Sequence, residues 1–335
     1  MAQAENIPEF SSELLKKLPN LPKVIFIVGP TASGKSALAI EIAKKMRGEI
    51  ISADSMQVYQ GMNIGTAKLS QADQQGIPHF GIDLVPARQN FNAYDFRKYA
   101  MQKIEEIHSR GNLPIVTGGS GLYVRALLEG LPDISMQNET VREHFEHRLE
   151  TEGLEALVRD LEAIDPEICE KIDKQNPMRV IRALEIHAIT GQKPSTIREK
   201  REGLEDLGYF SVVLGVDRDR DWLYERINQR VEYMFKAGLI TEVEVLVASG
   251  LSKTAAQAVG YKEIIEALEM EGDMNQNLEN AKEKIKQASR NLAKRQWTWF
   301  KKERGINWVF WPADSEPAQF AGYLVSHLKY ANAIF

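Results

Sequence analysis

The sequence predicts an α/β protein, a parallel sheet flanked by helices and interrupted by a helical insertion. Three observations carry that prediction. An apolar run, "KVIFIV" (23–28), leads directly into the glycine loop "GPTASGKS" (29–36). The loop leads into "SALAIEIAKKM", where Leu38, Ile42 and Met46 recur at helical spacing with Ala39 and Ala43 beside them. Strand and helix patterns alternate up to about residue 130, the mark of parallel strands covered on both faces. From about 133 to 205 the chain is charged, helical in period and poor in strand signals, before a buried-strand pattern returns.

Each element has a local reason. "KVIFIV" is too continuously apolar for a half-exposed strand and reads as buried on both faces. "GEIISADS" (48–55) reads as a second strand ending in Asp54-Ser55. "FNAYDFRKYAMQKIEEIHSRG" (91–111) is an amphipathic helix closed by Gly111. "LPIVTGGSGLY" (113–123) is a third strand, a glycine turn and the start of a helix. In the insertion, "VREHFEHRLETEGLEALVRDLEAID" and "NPMRVIRALEIHAITG" are strong helix patterns, the second stopped by Gly191. "GYFSVVLGVD" (208–217) is a buried strand, the pattern from Arg220 to about 303 is helical, and "INWVFWP" (306–312) reads as an edge strand. The expected organisation is a lead-in (1–22), a core of P-loop NTPase-like type (23–132 and 206–315), a helical insertion (133–205) and a C-terminal tail (316–335).

The 335 residues allow one large or two modest domains, and the composition is that of a soluble globular chain. A net charge of -5 argues against indiscriminate nucleic-acid binding but can hide a local basic patch. The single cysteine, Cys169, excludes an intramolecular disulfide and a cysteine-rich zinc site, and fits a reducing compartment. No apolar run approaches the roughly 18 residues that would suggest a bilayer span. The N-terminal stretch lacks the basic start and apolar middle of a signal peptide, so a cytoplasmic chain with no membrane partner is expected.

Gly29-x-x-x-x-Gly34-Lys35-Ser36, between a strand and a helix, is a phosphate-binding loop in its required context. The residues are Gly29, Pro30, Thr31, Ala32, Ser33, Gly34, Lys35 and Ser36. Backbone N–H groups of 31–36 are expected to turn inward on an anion, with the helix N-terminus behind them. Lys35 supplies a point charge, and the Ser36 hydroxyl suits Mg²⁺. Such loops usually hold ATP or GTP, so the loop alone favours a kinase or NTPase. Asp54 falls where the second strand should end, at the sheet edge that binds ligands in doubly wound folds. There it could bind a metal through water, accept a proton or cap a turn. "TGGSG" (117–121) is a second glycine turn whose Ser120 could face the same crevice, or could serve the fold alone.

Taken in order, "GPTASGKS", "ISADSMQVYQGMNIGTAK", "GGSGLYVRALLEG", "NPMRVIRALE", "DRDWLYERINQRV", "AVGYKE" and "LAKRQWTWF" resemble the tRNA dimethylallyltransferases, also called tRNA isopentenyltransferases. The likeness runs through nearly the whole chain, and "DSMQVYQGMNIGTAK" and "KRQWTWF" are its most specific stretches. The resemblance implies transfer of a dimethylallyl group from dimethylallyl diphosphate to N6 of adenosine 37, next to the anticodon of tRNAs reading codons that begin with U. Diphosphate would be the leaving group and ATP would not be consumed. In that reading Asp54 is the general base, and Ser120 stands where many members have threonine. Arg220, rather than Arg218, clamps the diphosphate, because it lies three residues before Leu223 and six before Arg226. Mg²⁺ is the implied cofactor.

The same resemblance implies tRNA contacts at Asp54, Ser55, Met56, Gln57 and Ser120. In the insertion it implies Arg142 and Met178, Arg179, Val180, Ile181 and Arg182. Further on it implies Gly260, Tyr261 and Lys262, then Lys294, Arg295, Gln296 and Trp297 within a Lys294–Lys301 stretch. Residues 282–304 hold nine Lys/Arg against two Glu, a net of +7 in a chain of net -5, with Trp297, Trp299 and Phe300 interleaved. For Trp299 and Phe300, core packing is as good a reading as base stacking. His144 and His147, three apart, have no further ligand cluster, and zinc is not expected. The chain ends without the zinc finger of some eukaryotic relatives, so a bacterial-type enzyme is expected; separately, a monomer is expected. The rival readings are a small-molecule kinase, an enzyme prenylating free adenine nucleotides, and an RNA-binding module with a relic loop.

Overall fold

The structure, a computed structural model, describes residues 21–131, 138–198 and 201–330. Most of the expected lead-in lies outside the described residues. The chain forms two compact units: one takes in the chain up to Leu128 and from Leu204 onward, the other Glu129–Gly203.

The first unit is built on a six-stranded, all-parallel sheet in the order β4-β2-β6-β1-β7-β8. Its strands are β1 (Lys23–Val28), β2 (Gly48–Ser52), β4 (His79–Phe80), β6 (Leu113–Gly118), β7 (Phe210–Asp217) and β8 (Ile306–Phe310). Two short strands, β3 (Tyr59–Gln60) and β5 (Val85–Pro86), pair with each other outside it. β1 alternates between two cores. Val24, Phe26 and Val28 face one, with Ile51, Val116, Phe96, Ile104 and Leu127; Ile25 and Ile27 face the other, with Leu38, Ile42, Ile50, Ile115 and Leu214. Each fully buried Val, Ile or Phe contributes about 1.5–3 kcal/mol, which explains why a central strand carries no polar alternation.

The second core is closed by the helix Lys35–Met46 and by the helix Pro317–Tyr330, which buries Phe320, Ala321, Leu324, Val325 and Leu328. The expected tail is therefore a structural layer: these apolar positions sit three and four apart and complete a face the sheet leaves bare. β8 is the edge strand the sequence predicts, on β7. The long helical stretch after Arg220 is several helices: Arg220–Lys236, Leu239–Ser249, Lys253–Ala256, Tyr261–Glu269 and Met274–Lys302. Breaks fall at Gly238, Gly250, Gly260 and Gly272, all at positive φ. No helix of the described residues is long and apolar enough to cross a membrane.

The second unit is helical: Glu139–Glu152, Leu154–Ile164, Pro166–Lys171, Pro177–Thr190 and Pro194–Arg198. The first expected helix is split at Gly153, whose φ of 81° ends one helix and starts the next. Phe145, Leu157, Leu161, Ile168, Cys169, Val180, Ile181 and Leu184 form its core.

Candidate active site

Because all strands of the main sheet are parallel, the loops after β1, β2, β6 and β7 leave one edge. β1 sits between β6 and β7, while the chain runs from β1 to β2 past β6, so the order reverses beside the glycine loop. Ligands of open α/β sheets bind at such a point.

The glycine loop is held in an anion-binding shape from both sides. Gly34 caps the following helix at φ 89° and Ala32 is at φ 64°. Thr31 N–H donates to Gln296 Oε1 (2.8 Å), and Gln296 Nε2 donates to Gly119 O (3.1 Å), so one amide ties the two glycine turns together. Thr31 is thereby withdrawn from the expected set of inward N–H donors. Ser33 N–H leans back on Pro30 O (3.4 Å). The N–H groups of Ala32, Gly34, Lys35 and Ser36 have no protein acceptor among the described residues and are free for an anion.

Lys35 Nζ donates to Pro30 O at 3.3 Å. Burial pushes its ammonium down to about 8; Asp54 opposes that and Arg230 adds to it. Arg230 lies ten residues beyond Arg220, on the same helix, and the sequence reading assigned it no role. It donates to Thr31 Oγ1 at 2.7 Å. The signal that could have found it is "RINQR", which places Arg226 and Arg230 four apart on one helix face.

Asp54 follows β2 by two residues, and its Oδ1 accepts from Met56 N–H at 2.9 Å. Its Oδ2 has no protein partner among the described residues. Ser120 Oγ accepts from Ser55 N–H (2.9 Å) and lies 3.1 Å from Ser55 Oγ, and Ser120 N–H donates to Ala53 O (3.2 Å). Ser120 therefore knits the two loops beside Asp54. The turn needs its glycines for close approach: a methyl on Gly118 would strike Ala53 O, on Gly119 the Gln296 amide, and on Gly121 the Trp299 ring. Gln57 is engaged on both sides, with Ser52 Oγ (2.9 Å) and Thr66 O (3.2 Å). Met56 packs partly against the first core.

Arg218 and Arg220 have different surroundings. Arg218 sits over the rings of Trp311 (3.7 Å) and Trp222 (4.2 Å) and donates to Ser33 O, Trp311 O and Pro312 O. It buttresses the loop from behind, and burial pushes it down to about 10. Arg220 is exposed, stands over Tyr224 (5.1 Å), and lines a cavity of about 190 Å³ with Pro30, Leu223, Ala293, Lys294 and Trp297.

Several contacts expected on the RNA side are placed otherwise. Tyr261 is fully buried; its hydroxyl donates to Glu242 Oε1 (2.6 Å), and Glu242 also accepts from the N–H groups of Asn63, Ile64 and Gly65. Gly260 is the cap before it, donating to Glu263 Oε2, and Lys262 is exposed. Val180 and Ile181 point into the core of the helical unit, so their side chains are not RNA contacts; the helical period that exposes Met178 and Arg179 turns the next two inward. Arg182 pairs with the buried Glu185 (3.1 Å), and Arg142 pairs with Glu146 (2.9 Å) and reaches Glu185 at 4.0 Å. Gln296 is spent on the loop tie. Trp297 is 42% exposed, with its indole N–H on Asp217 Oδ1 (3.0 Å) and Lys301 over its ring. Trp299 packs on Gly121 and under Arg125, and Phe300 is core. Lys294 and Arg295 are exposed and have no ion pair among the described residues.

Comparison with known proteins gives the chain's family. A model of the IPP transferase family matches residues 57–303. A tRNA dimethylallyltransferase 2 of Geotalea uraniireducens is 45% identical over 292 residues, 87% of this chain and 93% of the relative. A tRNA dimethylallyltransferase of Thermoanaerobacter sp. is 44% identical over 293 residues, 86% of this chain and 91% of the relative. Among solved structures, the tRNA delta(2)-isopentenylpyrophosphate transferase of Staphylococcus epidermidis matches with TM-score 0.63 at 38% identity, over 92% of this chain and 99% of that one. A eukaryotic dimethylallyltransferase described as acting on tRNA matches with TM-score 0.76 at 28% identity, over 93% of this chain and 80% of that one. The fold and site define a P-loop-type transferase core. The chain belongs to the IPP transferase family.

Proposed function

We propose that this chain transfers the dimethylallyl group of dimethylallyl diphosphate to N6 of adenosine 37 in tRNAs reading codons that begin with U, releasing diphosphate. The observation that carries the reading is the convergence at one sheet edge of free loop N–H groups, Lys35 and the unbonded Oδ2 of Asp54.

The chemistry follows from those groups. As the allylic C–O bond breaks, its electron pair stays on the diphosphate oxygen and positive charge grows on carbon. Fixed donors aimed at the leaving oxygens stabilise that charge because they need no reorganisation. The N–H groups of Ala32, Gly34, Lys35 and Ser36, with the Lys35 ammonium, are such donors. The adenine amine is a poor nucleophile, since its lone pair is delocalised into the ring. Asp54 Oδ2 orients it and takes its proton as the C–N bond forms, while the Met56 N–H holds Oδ1 in place. The base reaches this edge by leaving its stack in the anticodon loop, at lower cost than from a duplex.

The Ser36 hydroxyl has no protein partner among the described residues and fits one oxygen ligand of Mg²⁺, an ion that otherwise takes water and phosphate oxygens. When bound, Mg²⁺ would neutralise charge on the diphosphate. Lys294 and Arg295, exposed and without an ion pair among the described residues, suit tRNA phosphates.

The test incubates the protein with labelled dimethylallyl diphosphate, Mg²⁺ and unmodified tRNA, with AMP and ATP as competing acceptors. Label on the tRNA adenosine is the expected result. Label on AMP alone, or phosphoryl transfer from ATP without prenylation, would overturn the reading.

A further inference from the structure

We infer that Glu242 is a positioning residue for the proposed transfer: its carboxylate clamps the segment 63–66, and that segment fixes Gln57 and the turn that aims Asp54. The inference rests on the proposed function and adds a residue that reading does not use.

The clamp is made by residues far apart in the chain. Glu242, half-buried on the helix Leu239–Ser249, lies 177 to 179 positions from the three backbone groups it holds. Its Oε2 accepts from Asn63 N–H (3.0 Å) and Ile64 N–H (2.8 Å). Its Oε1 accepts from Gly65 N–H (3.2 Å) and from the Tyr261 hydroxyl (2.6 Å). Successive backbone N–H groups converging on one point form a nest for an anion. Here the anion is supplied by the chain itself. Glu242 has no ion pair among the described residues, so three amides and a phenol carry its charge. Burial, and then the carboxylate it meets, push the Tyr261 phenol well above its ordinary range, so it stays a donor. The fit is close: a methyl on Gly65 would strike the Tyr261 ring.

One side chain ties the clamped segment to the site. Thr66 O accepts from Gln57 Nε2 (3.2 Å), and Gln57 Oε1 accepts from Ser52 Oγ (2.9 Å) at the end of β2. Gln57 O also accepts from Asp83 N–H (3.0 Å). The residue before Gln57 is Met56, whose N–H holds Asp54 Oδ1 (2.9 Å). Within the segment, Ala67 N–H returns to Ile64 O (3.0 Å) and Lys68 N–H to Asn63 O (2.9 Å), so it is held as one turn. Asp54 therefore takes its direction from a turn that is stayed on one side by β2 and on the other by Glu242.

An apolar side chain at 242 would leave three adjacent N–H groups without a protein acceptor. A carboxylate holds them firmly, because charge-assisted hydrogen bonds are about twice as strong as neutral ones. Firmness matters here, since a misplacement of about 1 Å can cost about 100-fold in rate. Glu242 takes no part in proton transfer; its oxygens are committed to four donors, and the amine proton goes to Asp54.

The experiment uses the full chain with Mg²⁺, unmodified tRNA and labelled dimethylallyl diphosphate. Wild type, Glu242→Gln, Asp54→Ala and the double variant are compared. Glu242→Gln places a donor among donors. Its kcat is expected to fall by about 10-fold, with KM for dimethylallyl diphosphate within about twofold of wild type. In the Asp54→Ala background, followed under single-turnover conditions, the same change should lower the residual rate by less than about twofold, because the group it positions is gone. A role in stability alone would lower the rate by the same factor in both backgrounds, and that result overturns the inference. A folded Glu242→Gln with wild-type kcat overturns it too. Should Glu242→Gln fail to fold, Tyr261→Phe, which removes only a hydroxyl, takes its place. A loss in kcat of about threefold that vanishes without Asp54 supports the inference; no loss, or an equal loss in both backgrounds, overturns it. The two readings fail separately: wild type that prenylates no tRNA refutes the proposed reaction, and prenylation indifferent to both Glu242 and Tyr261 refutes only this inference.

Discussion

Lys35→Met tests whether the glycine loop holds its charge at the expense of stability. The wild-type ammonium is partly buried and donates to a single carbonyl, Pro30 O. Burial moves it from 10.5 to about 8, and at about 1.4 kcal/mol per pH unit that is a penalty of up to about 3 kcal/mol at pH 7. Partial exposure and the lost Pro30 hydrogen bond reduce the net gain. Lys35→Met should therefore stabilise the protein by about 1–2 kcal/mol, raising Tm by about 2–4 °C.

The pH dependence has a definite sign. Below pH 8 the folded and unfolded lysine are both charged and the penalty is complete. Between about 8 and 10.5 the folded lysine loses its proton first, so wild-type stability gains on the variant as pH rises. Urea unfolding followed by circular dichroism at pH 7 and 9.5 should show a gap that narrows at the higher pH, since groups common to both proteins cancel. Diphosphate calorimetry should show binding weakened by roughly 100-fold or more. A variant less stable than wild type at pH 7, or a gap that ignores pH, would refute the reasoning.

Asp54→Ala should leave tRNA affinity within about twofold while turnover falls by roughly 10²-fold or more; near-wild-type turnover would remove Asp54 from its role. Lys294→Ala should weaken tRNA binding and lower the slope of log affinity against log salt by about 1, and an unchanged slope would reject that phosphate contact. Asp165 is buried and accepts from Ser195 N–H (2.7 Å), Ser195 Oγ–H (3.0 Å) and Ile168 N–H (3.2 Å). Asp165→Ala should cost the helical unit about 1–3 kcal/mol, read as faster hydrogen exchange confined to residues 138–198. Burial raises the Asp165 carboxyl, but its hydrogen bonds bring it net below the usual carboxylate range. Its stabilisation is thus complete above about pH 4 and is lost as pH falls below that; equal exchange in variant and wild type at pH 6 would count against it.

Much of the site was legible because it is built from short contiguous stretches. "GPTASGKS" after an apolar strand specifies loop, lysine and helix N-terminus without reference to the rest of the chain. "GEIISADS" puts Asp54 just past a strand end. What was misread involved side chains whose direction depends on partners far along the chain. Val180, Ile181 and Tyr261 lie in stretches matching the family but face cores, because helical period and neighbouring helices turn them inward. Gln296 sits in a basic, aromatic segment that reads as RNA-facing. Its amide instead spans Thr31 and Gly119, residues more than 170 positions away.

The sequence by itself determined the parallel α/β core, the helical insertion, the phosphate loop and its transferase family. Those follow from local spacing, period and motif order, which need no third dimension. Only the tertiary structure decided which arginine braces the loop and which reaches into it, how one glutamine joins two glycine turns, and that the last helix is a layer of the core. Guanidinium groups look alike in a sequence. Their roles are set by burial, by the acceptors that happen to surround them, and by which long-range neighbours the fold brings within a few ångströms.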